Sequence, residues 1–409
     1  MDISIQKSKL RNHQHVQITG SKSESNRLLL LQALYPQIRI KNISNSDDSV
    51  LMQKALASTD QLIDIHHAGT AMRFLTAYFS IQNHREVTIT GSSRMKERPL
   101  KILVEALQTL GADITYLEND GFPPLKIKGR ELTKSKVTLE ANVSSQYISA
   151  LLLIASKLEN GIELTLKGKI TSVPYIKMTL SLLETIGIET SFIENTISVK
   201  PKNSEVPSQT LTVESDWSSA SYYYSVIALS AVGTEITIAS YKKESLQGDS
   251  VLAVIYEKFG VTTTFLDDAI KLHKTAVIQN KERIELELSN APDIAQTIAV
   301  TAFGLGLECF MSGLHTLKIK ETDRLVALKT ELEKLGGQVA ITDASLHLQP
   351  SNHINANITI ATYNDHRMAM AFAPLALKVP IRVENADVVS KSYPQFWKDL
   401  ETIGFHLKN

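Results

Sequence analysis

Cysteine is nearly absent: Cys309 is the only one in 409 residues. A lone thiol excludes an internal disulfide framework and any zinc site built on several cysteines. Neither charge is in excess, since Lys plus Arg and Asp plus Glu each total 43. A chain of zero net charge has no basic surplus to drive non-specific nucleic-acid binding. Local groups of cations can still hold a small polyanion. Residues 1–7 lack the apolar stretch of a secretory signal. The longest apolar window, 294–311, is interrupted by Gln296 and Glu308 and reads as buried core instead of a membrane span. The expectation is a soluble, cytoplasmic protein in reducing surroundings, with neither nucleic acid nor membrane as partner. At 409 residues the chain exceeds what one core usually holds, so two or three domains are expected.

What the chain does have is a repeat. Five times a helical run ends in a large apolar residue followed by glycine, and a strand-like run comes next. The pairs are Leu110-Gly111, Ile186-Gly187, Phe259-Gly260, Leu335-Gly336 and Ile403-Gly404. Glycine there supplies a left-handed helix cap. The glycines recur about every 70 residues, and 52–65 reads as a divergent first copy, which makes roughly six units. The third unit predicts a strand at 137–139, a helix at 148–156, a strand at 162–166, a helix at 176–186 and a hairpin of 189–193 with 196–199. That alternation predicts an α/β fold. The linker-like run 201–208 predicts a domain boundary near Leu211. Two three-unit domains would leave a ligand cleft between them.

The helix starts carry the chemistry. The densest is 318–324, with Lys318, Lys320 and Arg324 among Glu321, Asp323 and Thr322, read together with Asp293 upstream. It predicts a loop entering a helix capped by Thr322 or Asp323. Helix N-termini attract anions, and a carboxylate held among cations there is a candidate proton carrier. Residues 19–27 place Ser21, Lys22, Ser23 and Arg27 at another helix start, and 66–73 place Gly69, Thr70 and Arg73 at a third. Arg94, Lys96 and Arg98 crowd a fourth, Ser144, Ser145 and Gln146 a fifth, and His366 with Arg367 a sixth. Each alone is also a plain capped or solvated turn. Ser46-Asp47-Asp48-Ser49 reads as helix capping, and the pair His66-His67 has no carboxylate or cysteine at ligand spacing, so no metal is expected. Cys309, in an apolar stretch, reads as core. Together the cationic starts describe a pocket for ligands of several negative charges.

At these residues the chain resembles the 5-enolpyruvylshikimate-3-phosphate (EPSP) synthases, or 3-phosphoshikimate 1-carboxyvinyltransferases, of the enolpyruvyl transferase family. The resemblance rests on Gly20-Ser21-Lys22-Ser23 with Asn26-Arg27, on 68–73, 94–98, 144–146, Pro292-Asp293, 320–324, 365–370 and Lys391. It implies a two-domain inside-out α/β barrel, each domain three βαβαββ repeats, with domains 20–212 and 1–19 plus 213–409. It implies transfer of the enolpyruvyl group of phosphoenolpyruvate to the 5-hydroxyl of shikimate 3-phosphate, releasing phosphate through a tetrahedral intermediate, with no cofactor and a monomeric chain. By resemblance, Lys22, Ser23, Arg27, Ser144, Ser145, Gln146, Ser172, Tyr175, Asp293 and Lys320 hold shikimate 3-phosphate. Lys22, Gly69, Arg94, Gln146, Arg324, His366, Arg367 and Lys391 surround phosphoenolpyruvate. Asp293, Glu321 and Lys22 carry protons.

The chain departs from the family in places. His67 and Thr316 stand where asparagine is usual, and Glu287 and Ser289 replace an Asp and an Asn ahead of Asp293. Two rivals differ in kind. The sister enzymes act on UDP-N-acetylglucosamine with a loop cysteine as acid, a place Cys309 does not occupy. A repeat-built binding protein without catalysis would spread its cations along one face.

Overall fold

The computed structural model describes every residue except 141–143, 169, 203, 279–281 and 409. The chain divides into two compact units, 20–213 and 1–19 with 214–409.

One strand order recurs in both units. In the first, Leu62–Asp64, Glu86–Thr90, Leu125–Lys128 and Asp113–Tyr116 lie side by side in that order, the first pair parallel and the others antiparallel. Lys136–Glu140, Ile162–Lys167, Thr196–Val199 and Thr190–Ile193 repeat it. Ile38–Lys41 and Gln209–Thr212 form only a parallel pair. The second unit has three complete copies, and in the last of them Ile3–Ile5 fills the place between Ile381–Val383 and Leu407–Lys408. The start of the chain is thereby built into its final repeat.

The strands alternate inward and outward side chains, as in Lys136–Glu140, where Val137 and Leu139 are buried and their neighbours exposed. Two kinds of helix connect them. Lys101–Leu110 is amphipathic and buries one face. Gly69–Ser80, Ser145–Ala155, Trp217–Leu229 and His366–Phe372 are buried almost all round. Their sequences permit this because small residues and hydroxyls stand among the apolar ones, and the buried guanidiniums of Arg73 and Arg367 are hydrogen-bonded. In the second unit Ser221 meets Thr297 at 2.9 Å, and Thr301 donates to Ser225 at 2.8 Å, tying two such helices together. The helices form the core and the sheets cover it, an inside-out α/β arrangement.

The predicted caps are present: Gly111, Gly187, Gly260, Gly336 and Gly404 all have positive φ, between 73° and 114°. The third unit's elements lie within a few residues of expectation, at Ser145–Ala155, Ile162–Lys167 and Val173–Thr185. The fourth unit differs, because its second helix breaks into Leu252–Ile255 and a tighter 3₁₀ turn, Tyr256–Phe259. In the run 201–208, Val206 is buried, and Asn203 lies outside the described residues. Among the described residues no helix is long and apolar enough to cross a membrane.

Candidate active site

The second unit holds a cluster of buried and half-buried ion pairs. Asp293 sits in the 3₁₀ turn Pro292–Ile294, just ahead of the buried helix Ala295–Leu305. Its Oδ1 accepts from Arg324 Nη1 at 2.9 Å and lies 3.3 Å from Lys320 Nζ. Its Oδ2 lies 3.2 Å from Arg367 Nη2. Burial alone would raise the Asp293 pKa, but Arg367, Lys320 and Arg324 outweigh it and hold the carboxyl well below the usual carboxylate range. Burial pulls the Lys320 pKa down against the attraction of Asp293.

Arg324 is the hub. Its side chain is 2% exposed, and it donates to Asp365 Oδ2 at 2.6 Å and to Glu321 Oε2 at 2.9 Å besides Asp293. Burial works against its charge, yet Asp365, Glu321 and Asp293 together raise its pKa. The local fold puts it there through two caps. Asp323, one of the two expected, accepts from the backbone N–H groups of Leu325 and Val326 and starts the helix Arg324–Lys334. Asp365 caps His366–Phe372 by accepting from the Arg367 N–H, which places His366 and Arg367 in its first turn. Glu331, fully buried, accepts from the Tyr363 hydroxyl and the Ala361 N–H, binding the Arg324 helix to the strand-exit loop before Asp365. Lys391 closes that loop by donating to the Asn364 carbonyl at 2.6 Å.

The two substitutions ahead of Asp293 satisfy each other: Glu287 accepts from both the Ser289 N–H and its hydroxyl. Thr316 Oγ1 is buried with no hydrogen-bond partner.

In the first unit the polar residues are again at helix starts. Lys22 opens Lys22–Leu34, with Ser23 beside it in the first turn and Arg27 in the second. Arg27 is 1% exposed and donates to Thr179 and Ser149 side chains and to the Ser23 and Tyr175 carbonyls. Four of the five guanidinium N–H groups are therefore spent on protein, and burial pulls the Arg27 pKa down to about 10. Arg27 thus ties the helices bearing Lys22, Ser145 and Ser172 to one another. Tyr175 also lies against it, the guanidinium 5.9 Å from the ring centre. Ser172 stands at the N-cap position of Val173–Thr185 with φ of 53°, a left-handed non-glycine residue whose side chain makes no cap hydrogen bond. Ser144 caps Ser145–Ala155, and Val143 lies outside the described residues. Gln146 donates to Thr70 Oγ1 at 3.2 Å, joining that start to the one at Gly69.

Gly69 is a close approach. A Cβ there would stand 2.3 Å from Arg98 Nη1 and 3.2 Å from Arg73 Nη1. Only hydrogen leaves room for both guanidiniums over the helix start. Arg94 stands apart from these: its side chain is 53% exposed and paired with Glu97 at 2.8 Å. His67 corrects an expectation. Its Nε2 lies 3.3 Å from Asp47 Oδ2 and its Nδ1 2.8 Å from His66 Nδ1, so the pair does have a carboxylate neighbour. The spacing hid it, because Asp47 is brought in from the neighbouring helix.

Residues 53–400 match the sequence model of the family described as EPSP synthase (3-phosphoshikimate 1-carboxyvinyltransferase). A 3-phosphoshikimate 1-carboxyvinyltransferase of Bacteroides fragilis is 46% identical over 400 residues, 96% of each chain. The chain belongs to the EPSP synthase family. A Haemophilus influenzae relative of the same name is 36% identical, covering 95% of this chain and 96% of its own. Among solved structures, an EPSP synthase from Acinetobacter baumannii superposes over the full length of both chains with TM-score 0.80 at 19% identity. The enolpyruvyl transferase NikO from Streptomyces tendae gives 0.75 at 14% identity, covering 100% of this chain and 98% of its own. At those identities the likeness shows the fold.

Within this EPSP synthase family member some polar partners escaped the sequence reading. Asp48 reaches past its own helix, accepting from Asn26 at 2.7 Å and from the Thr70 and Ala71 N–H groups at the Gly69 helix start. Ser46 does the local capping expected of that run. Asp249 and Ser218, beside Arg367, belong to no cationic motif and gave no signal. Cys309 lies buried in a strand, and burial pushes its thiol up to about 12.

Proposed function

We propose that the Asp293 cluster is the proton-handling part of an enolpyruvyl transfer site. As a member of the EPSP synthase family, the chain transfers the enolpyruvyl group of phosphoenolpyruvate to shikimate 3-phosphate and releases phosphate. The observation that carries the site assignment is one carboxylate, Asp293, within 3.3 Å of Lys320, Arg324 and Arg367, with Glu321 on the same arginine.

The chemistry suits these groups. Asp293 takes the proton of the attacking 5-hydroxyl as its oxygen bonds to C2 of phosphoenolpyruvate, while Glu321 or Lys22 gives a proton to C3. In the second step C3 returns a proton and the C2–O bond to phosphate breaks. Cations that hold Asp293 ionised also make it a weak base. Phosphate and carboxylate groups of the substrates draw Lys320, Arg324 and Arg367 onto themselves, and Asp293 becomes more basic as they do. His366 and Lys391 extend the phosphoenolpyruvate set, together with Gly69, Arg94 and Gln146. Ser23, Arg27, Ser144, Ser145, Ser172 and Tyr175 serve shikimate 3-phosphate. We read the protein as a cytoplasmic monomer in domains 20–212 and 1–19 plus 213–409.

The deciding experiment offers shikimate 3-phosphate and UDP-N-acetylglucosamine in parallel and follows phosphate release. Turnover is expected with the first alone. Turnover with the second only would move the chain to the sister activity, for which the buried Cys309 is the wrong acid.

His67 stands where the family usually has asparagine, in the loop that leads into the Gly69 helix. His67→Asn should change phosphoenolpyruvate affinity in a binding titration, and an unchanged affinity would remove His67 from the site.

A further inference from the structure

Asp249 is a buried carboxylate that the reaction scheme does not use. It lies in the 3₁₀ turn Gly248–Val251 and is 2% exposed. Its Oδ2 accepts from the Ser218 hydroxyl, and its Oδ1 has no hydrogen-bond partner. Ser218, in the first turn of Trp217–Leu229, accepts in turn from Arg367 Nη2 at 3.2 Å. The same Nη2 is 3.2 Å from Asp293. A short chain therefore runs from Asp249 through Ser218 to Arg367 and Asp293.

The charges around it set its protonation. Asp293, Arg367 and Asp216 face Asp249, while Arg367 also meets Tyr222. Lys320, Arg324 and Arg367 are three cations. With Asp216, Asp293, Glu321 and Asp365 already present, an ionised Asp249 would be a fifth carboxylate against them. A buried carboxylate oxygen without a donor is costly when charged and less so when protonated. Burial first, and Asp293 second, push the Asp249 carboxyl up to about 7, against the pull of Arg367.

We propose that Asp249 is a positioning residue that orients Arg367 through the Ser218 hydroxyl, and that an anion seated on Arg367 draws a proton onto Asp249. The anion adds negative charge beside the carboxyl and engages the cation that would stabilise its ionised form, so both effects favour the proton. Binding of the anion is then coupled to proton uptake, and its affinity falls as pH rises through the neutral range. This rests on the assignment of Arg367 to phosphoenolpyruvate.

The test compares KM for phosphoenolpyruvate, by phosphate release with saturating shikimate 3-phosphate, in the unmodified chain and in Asp249→Asn, Ser218→Ala and Arg367→Lys. Asparagine mimics the protonated carboxyl. Asp249→Asn is expected to remove about a tenfold part of the rise in KM between about pH 6 and about pH 8. Calorimetry in buffers of different ionisation enthalpy should show fewer protons taken up with phosphoenolpyruvate than in the unmodified chain. Ser218→Ala should raise KM about tenfold, with kcat changed by less than about threefold. A pH profile and proton count in Asp249→Asn that match the unmodified chain overturn the proposal, as does an unchanged KM in Ser218→Ala. If Arg367→Lys leaves KM unchanged, the site assignment itself fails. If Arg367→Lys raises KM while Asp249→Asn behaves as unmodified, only the role of Asp249 fails.

Discussion

Asp293→Asn is expected to lower kcat by about 10²- to 10⁴-fold, the usual contribution of a positioned general base. The effect on KM should have the opposite sense from that of a lost binding residue. Asp293 pairs with Arg324, Arg367 and Lys320, so it competes with anionic substrates for those cations. An amide cannot compete as well, and KM for phosphoenolpyruvate should stay level or fall. Glu321→Gln should lower kcat by a comparable factor with a smaller gain in affinity, because Glu321 pairs with Arg324 and attracts Lys320, whereas Asp293 lies within 3.3 Å of all three cations. Steady-state phosphate release over both substrate concentrations separates the cases. Near-normal kcat in both variants would sink the assignment of proton carriers. Circular dichroism should show the fold retained.

Arg324→Met should give the largest loss of stability. The guanidinium is 2% exposed and answers Asp293, Glu321 and the fully buried Asp365. Removing the cation leaves carboxylates uncompensated in the interior, a cost of about 3–5 kcal/mol. For a unit of this size that is a drop of roughly 10 °C in unfolding midpoint. Arg94→Ala is the contrast: its pair with Glu97 is exposed at the surface, so the change should stay under about 1 kcal/mol. Thermal melts near pH 7 distinguish them, and equal midpoints would refute the buried-hub account. The pH dependence follows two groups of opposite sign. The Asp293 pKa is depressed, so its contribution is complete above the unfolded value near about 4 and is lost as pH falls below it. The Asp249 pKa is raised to about 7, so the folded chain keeps a proton that the unfolded chain releases. That contribution weakens as pH rises from about 4 to about 7.

How far the site was readable depends on sequence distance. Lys320, Glu321 and Arg324 are close neighbours in the chain, the first two in the short loop before the N-cap Asp323 and the third the first residue of its helix, so their meeting is local geometry. Asp365, His366 and Arg367 are legible for the same reason. The His67–Asp47 contact joins residues 20 apart on different elements, and no spacing rule applies to it. Arg27 shows a different limit. Its motif names it as a ligand contact, while the structure spends most of its hydrogen bonds on Ser23, Ser149, Tyr175 and Thr179. A sequence reports that a cation stands at a helix start, and does not report how many neighbours already claim it.

By itself the sequence determined the repeat, the α/β alternation and the positions of the helix starts. These follow from local rules: glycine at a left-handed cap, acidic or hydroxyl residues at N-caps, and apolar periodicity within each strand and helix. Only the tertiary structure decided which carboxylate meets which cation. Asp249, Ser218, Arg367 and Asp293 come from four separate elements, and their charges are set by burial and by one another. Desolvation and Coulomb interaction act through space, so they appear only once the chain has folded.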